Sequence, residues 1–187
     1  MNTRYLAILL SLLIFASCAS KQPQIVRNTE WACKVDGTCL HNFYRVTDSL
    51  YRSEQPDGKA IPYFDSIGIK SILNLREYYS DSIRLHKKNL HYYSVKIVAG
   101  NFSDVQIIQS LRIIKDAPKP ILIHCYHGSD RTGVVIAMYR IIFQNWTKEK
   151  AIDELEHGNY GFHNRYKNIP AFIRKADIDA FKKALSL

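Results

Sequence analysis

The stretch HCYHGSDRTG, residues 124–133, sets a cysteine between two histidines and follows it with glycine, aspartate, arginine and glycine. Three chemistries suit such a set: an inert thiol in a turn, a metal ligand group built on His124, Cys125 and His127, or an activated nucleophile. The two histidines share one loop and bring no fourth ligand, which disfavours zinc, a metal that takes four in structural sites. A nucleophile would need a setting that stabilises a thiolate and a group that grips an anion. Arg131, six residues after Cys125, offers a planar fork that fits two phosphate oxygens. Gly128 and Gly133 allow the tight turn and the close packing that such a loop demands.

The flanking chain supplies the setting. PILIHC, residues 120–125, reads as a short buried strand, and TGVVIAMYRIIFQNW, residues 132–146, as an apolar helix. The motif therefore lies between a strand and a helix N-terminus, where backbone N–H groups and the helix dipole converge on an anion. Thiols placed there beside an arginine ionise at or below neutral pH and become competent nucleophiles. Further strands are expected over residues 49–56, 69–76 and 90–98. Further helices are expected over residues 60–68, over the segment capped by Ser103 and ended by Pro118 and Pro120, and over the segment capped by Thr147 and stopped at Gly158. Strands and helices alternate, so the expected fold is a single α/β domain: a central, mostly parallel sheet flanked by helices, with the motif loop between strand and helix.

HCxxGxxRTG is met in full, and its C-x5-R spacing resembles the signature loop of the cysteine-dependent tyrosine and dual-specificity phosphatases. LYRSEQP and GIKSILNLR resemble segments of the compact dual-specificity-like members of that family in bacteria, fungi and plants, so the similarity covers about residues 44–172. The resemblance implies that Cys125 attacks phosphorus and that a cysteinyl-phosphate forms before water hydrolyses it. Tyr126, His127, Gly128, Ser129, Asp130 and Arg131 would then bind the transferring phosphoryl group. It implies no metal and no cofactor. His124 is expected to orient the loop beneath the thiolate. The Thr132 hydroxyl is either a helix cap or, by the resemblance, a group beside the sulfur that assists its departure. Asp130 reads most simply as a solvated loop carboxylate.

A leaving alcohol or phenol needs a proton from a general acid. The resemblance places an aspartate on a loop before the signature strand, and Asp104 in AGNFSD is the first candidate, ahead of Asp81 in YYSDS and Glu77 in LREYY. Asp104 reads equally as an acid that the dipole of the following helix favours. The tyrosines of EYYS and HYYS suit either a phosphotyrosine cleft or half-buried strand positions.

The expected substrates are phosphotyrosine or mixed phosphoproteins. Inositol polyphosphates or phosphoinositides are the alternative, weakened by the negative Asp130 and the lack of a loop lysine. Sulfur transfer of the rhodanese kind uses a shorter loop, and a phospho-binding module with a dead site would not need Cys125 and Arg131 intact. The chain of 187 residues is 47% hydrophobic, enough for one domain, and its 26 Lys and Arg against 17 Asp and Glu give a net +9 that favours anionic partners. No repeat, C2H2 spacing or aromatic RNP-type stretch points to nucleic acid. Arg4 followed by YLAILLSLLIF reads as a targeting segment, too short to span a bilayer. FASC resembles a bacterial lipobox, which implies Cys18 as the lipidated first mature residue of an exported, membrane-anchored protein; Phe15 in place of the usual leucine leaves a plain secretory signal or a short uncleaved anchor as the alternative. The expected organisation is a signal peptide over residues 1–17, a tether over 18–40 and the phosphatase domain over 41–187. In an oxidising compartment Cys33 and Cys39, flanking the turn-forming KVDGT, are expected to pair. Cys125 is then left as a free thiol.

Overall fold

The computed structural model describes residues 27–81 and 89–187. The expected leader and Cys18 lie outside the described residues. A six-stranded sheet runs in the order β1 (Cys33–Lys34), β2 (Tyr44–Thr47), β3 (Leu50–Ser53), β6 (Ile121–His124), β4 (Ser71–Asn74), β5 (His91–Ser94). The four strands β3, β6, β4 and β5 are parallel, and β1 and β2 add an antiparallel edge. The helices are α1 (Ile61–Ser66), α2 (Asp104–Asp116), α3 (Asp130–Gln144), α4 (Lys148–His157), α5 (Asn168–Lys175) and α6 (Ile178–Ala184). Mixed but mostly parallel, the sheet is that of the expected single α/β domain.

β6 sits between β3 and β4, and both of its faces are covered, which is why ILIH reads as a continuous apolar run. Leu122 points with Ile72 into a cluster around Phe43 and Phe64, whereas Ile121 and Ile123 point with Leu73 into the larger core beneath α2 to α6. Ile121, Leu122 and Ile123 are fully buried, each contributing about 1.5–3 kcal/mol, so the strand that delivers the loop is held firmly from both sides.

α3 begins two residues earlier than its apolar run suggests, at Asp130, and ends where Asn145 takes a left-handed conformation (φ 56°). Gly133 lets α4 approach: a Cβ there would lie 2.3 Å from Leu155 Cδ1. α2 carries the expected Ser103 cap, as a capping box with Gln106, and Thr147 caps α4 by accepting from the Lys150 N–H.

Residues ahead of the expected domain start at 41 also join the fold. Ala32 is buried, and Cys33 is held opposite Arg45 in the β1–β2 ladder. The expected bridge between Cys33 and Cys39 is not formed. Both thiols are free and exposed, one fixed in the ladder and the other beyond the turn at Gly37 (φ 77°). No helix among the described residues is long and apolar enough to cross a membrane.

Candidate active site

β6 ends at His124, the chain turns through residues 125–129, and α3 opens at Asp130, so the loop lies at the carboxyl end of the parallel strands. Its carbonyl groups are held from behind by donors far away in sequence. The Tyr126 carbonyl accepts from the Gln55 N–H (3.0 Å), that of His127 from Asn42 Nδ2 (2.7 Å), and that of Gly128 from Arg52 Nη2 (2.7 Å). A peptide unit is planar, with each carbonyl opposed to the next N–H. The amides of His127, Gly128 and Ser129 consequently turn to the other side, where the Gly128 N–H donates to Cys125 Sγ at 3.2 Å. Gly128 achieves this with φ 74° and lies directly on the end of β3: a Cβ would come within 2.5 Å of the Ser53 carbonyl carbon.

Cys125 is a free thiol with 2% of its surface exposed. The Thr132 hydroxyl, buried in the first turn of α3, has no hydrogen-bond partner among the described residues. Such an orphan is what a group reserved for the sulfur would leave behind. Arg131 is half-buried and borders a cavity of about 330 Å³ together with Arg76, Glu77, Tyr126, Asp130 and Arg165. No described hydrogen bond or ion pair engages its guanidinium.

Asp130 departs from the sequence reading. Its carboxylate is buried, accepting from the His163 backbone N–H (2.9 Å) and from His163 Nδ1 (2.8 Å). It anchors the segment after Gly158 instead of standing solvated, and its amide at the start of α3 is what it can offer an anion. His127 stands at the rim, its ring against those of Tyr126 and His163 (centroids 4.6 and 5.4 Å). Burial, with His163, Arg131 and Arg165 adding to it and Asp130 opposing, holds its imidazole below the usual histidine range.

His124 is fully buried and binds Asp81 through Nε2 at 2.7 Å. The contact ties the end of β6 to Asp81, which lies beneath the loop with Gln55 Nε2 also donating to it (2.8 Å). Burial pushes the Asp81 carboxyl up, but its hydrogen bonds from His124, Gln55 and Asn74, with the charge interaction of His124, outweigh burial and leave it below the usual aspartate range. A folded-state value below the unfolded one means stabilisation that is complete above 3.8 and lost as pH falls through the folded value. Asp81→Asn is expected to cost about 1–3 kcal/mol at pH 7. Urea unfolding of variant and wild type should converge as the pH drops below 3.8; a gap that stays constant into that range would contradict the pairing.

Asp104, the first-named acid, is exposed at the first position of α2 and does not border the loop cavity. The structure gives it the helix-terminal place. Of the three acids considered, Glu77 borders that cavity. Beside it a second cavity of about 530 Å³ is walled by Tyr78, Tyr79, Tyr92 and Tyr93 and shares Glu77 and Tyr78 with the first. Arg76 lies between Tyr79 and Tyr126, its guanidinium 3.8 and 4.8 Å from their ring centroids, and donates to Gln55 Oε1 (3.0 Å). Arg165, left without a role by the sequence reading, lines the loop cavity.

A buried thiol under loop amides, at a helix N-terminus, with an unpaired arginine at the mouth, defines a cysteine-dependent phosphatase. A model described as the tyrosine phosphatase family matches residues 39–186, and the chain belongs to that family. It is 29% identical over 182 residues to the dual specificity protein phosphatase TpbA of Pseudomonas aeruginosa, covering 96% of this chain and 82% of the relative. A crystal structure of a cysteine-to-serine TpbA in complex with pTyr superposes with a TM-score of 0.78 at 30% identity, over 86% of this chain and 98% of that one. The catalytic domain of the PP-IP phosphatase SIW14 from Saccharomyces cerevisiae, crystallised with citrate, gives a TM-score of 0.67 at 28% identity over 79% and 92%. The chain is thus an enzyme of the dual-specificity-like kind, and the sulfurtransferase reading falls away.

Sequence reasoning missed Arg52, Asn42, Gln55 and Tyr160, which hold the loop from behind. Only Arg52 left a signal, a charged residue inside an apparent strand.

Proposed function

We propose that the protein hydrolyses phosphotyrosine, or phosphotyrosine together with phosphoserine and phosphothreonine, in protein substrates through a cysteinyl-phosphate on Cys125. The observation that carries this reading is the loop itself: amides turned toward the Cys125 side and a free Arg131 guanidinium at the same mouth. The cavity walled by four tyrosines adjoins that mouth and suits an aryl phosphate. The relative crystallised with pTyr supports the same class. Cys125 attacks phosphorus in line while the loop amides and the Arg131 fork take the charge of the equatorial oxygens. Water then cleaves the thiophosphate bond, with the Thr132 hydroxyl stabilising the departing sulfur. Glu77, bordering the cavity, is the group we assign to protonating the leaving oxygen, in preference to Asp104.

A second reading rests on the rim. Arg76, Arg131 and Arg165 share the loop cavity with two carboxylates, one of which is committed to His163. That excess of positive charge favours a substrate with further phosphates, as the name inositol diphosphatase carried by several relatives suggests. Purified full-length chain assayed on phosphotyrosine, phosphoserine and phosphothreonine peptides beside inositol phosphates separates the two. The highest kcat/KM is expected on the phosphotyrosine peptide; higher values on inositol phosphates would overturn the protein-substrate reading.

The sequence around FASC also supports export and a lipid anchor on Cys18. Intact-mass measurement of protein extracted from membranes reads it, and a mature N-terminus elsewhere with Cys18 unmodified would refute it.

A further inference from the structure

We propose that Arg52 is a positioning residue for the reaction, holding the Gly128 carbonyl behind the loop so that the Ser129 amide stays aimed at the transferring phosphoryl group. This rests on the phosphatase reading above and adds a residue that sequence reasoning did not assign.

Arg52 lies in β3, paired with Ile123 of β6, and is 1% exposed. A fully buried guanidinium is costly unless it is paired or hydrogen-bonded, and an apolar side chain of similar size often serves stability better. No carboxylate hydrogen-bonds to this one among the described contacts. Its hydrogen bond goes to the catalytic loop, Nη2 to the Gly128 carbonyl at 2.7 Å. Its plane rests on Tyr160, the guanidinium carbon 3.7 Å from the ring centroid, and its Nε has no partner. Burial works against its charge, while Tyr160, Glu154, Cys125 and Tyr44 face it and favour the charged form.

The Gly128 carbonyl and the Ser129 N–H belong to one planar peptide unit and point in opposite directions. If that unit rotated, a carbonyl oxygen would face the phosphoryl oxygens where an N–H now does, and attraction would become repulsion. Gly128, at φ 74°, has no side chain to resist the rotation. The neighbouring pieces are tied down separately: the Ser129 hydroxyl donates to the Tyr160 carbonyl (2.6 Å), and Asn42 holds the His127 carbonyl. Arg52 is the side chain that fixes the peptide between them.

The test compares full-length wild type, Arg52→Met and Arg52→Lys. Turnover of p-nitrophenyl phosphate, orthovanadate binding read as protection of Cys125 from alkylation, and thermal melting are measured on each. Loss of a single oxyanion donor costs about 10²–10³ in kcat. Arg52→Met is therefore expected to lose about 10²-fold in kcat with KM little changed, and to bind vanadate at least about tenfold more weakly. Arg52→Lys, which keeps one N–H donor but not the fork, is expected to lose about tenfold in kcat. If the Met variant melts lower yet each folded molecule keeps wild-type kcat and vanadate affinity, Arg52 is only a prop and the proposal is overturned. Should that variant not fold, Lys decides: unchanged kcat and vanadate protection overturn the proposal. A wild type inactive on any phosphomonoester would sink the phosphatase reading instead, and the vanadate arm would still decide Arg52.

Discussion

Cys125→Ser is expected to abolish turnover, by about 10⁴-fold or more, while phosphate and phosphotyrosine peptide still bind. A serine hydroxyl of nearly the same size fits the pocket, but it is a far weaker nucleophile than a thiolate, and among the described residues no base hydrogen-bonds to Cys125 Sγ. Binding survives because its parts are elsewhere. The loop carbonyls remain held by Gln55, Asn42 and Arg52, so the amides stay turned inward, and Arg131 keeps its fork. Calorimetric titration with phosphate reads the second half of this statement and steady-state kinetics the first. Arg131→Lys should show the complementary pattern, losing about 10²–10³ in kcat together with much of the phosphate affinity, since a point charge cannot span two oxygens. Near-normal turnover in the serine variant would exclude the thiolate mechanism.

The second large effect separates Glu77 from Asp104. A tyrosine leaving group has a pKa near 10 and needs a proton as it departs, help worth about 10²–10⁴ in rate, whereas p-nitrophenolate leaves with much less. Glu77→Gln is therefore expected to lose about 10²-fold or more on a phosphotyrosine peptide and less than about tenfold on p-nitrophenyl phosphate. It should also flatten the fall of kcat at high pH. Asp104→Asn should alter neither substrate and should cost about 0.3–1 kcal/mol of stability, the value of an acid in the first turn of a helix. The reverse pattern, with the leaving-group dependence following Asp104, would return the acid to the loop before α2.

The parts of the molecule legible in sequence are those whose cause is local. The loop is written in ten consecutive residues, β6 in an apolar run, and the capped starts of α2 and α4 in Ser103 and Thr147. What holds the loop was not legible, because His124, Gly128 and His127 take partners 43, 76 and 85 positions away, at Asp81, Arg52 and Asn42. The spacing of those residues does not announce the meeting: Arg52 is brought by β3 and Asp81 by the chain beyond β4, which flank β6, and Asn42 arrives from the chain ahead of β2. Of the antiparallel pair, β1 is two residues long and carries too little pattern to be read, and β2, YRVT, mixes buried and exposed positions instead of forming an apolar run like β6. Asp130 looked solvated because an aspartate beside a glycine-rich turn is usually exposed, and its true partner, His163, arrives from beyond α4. Loop position in the sequence puts Asp104 ahead of Glu77, whereas it is Glu77 that borders the cavity.

The most direct test of the mechanism is to catch phosphorus on Cys125. Full-length protein mixed rapidly with a phosphotyrosine peptide, quenched in acid within the first turnover and digested, should yield the peptide containing Cys125 with one added phosphoryl group. That species should be absent from Cys125→Ser, and hydroxylamine-free alkaline treatment should not be needed to reveal it. Turnover in the wild type with the phosphoryl group found on a histidine, or on no residue at all across the pre-steady-state window, would contradict the cysteinyl-phosphate route.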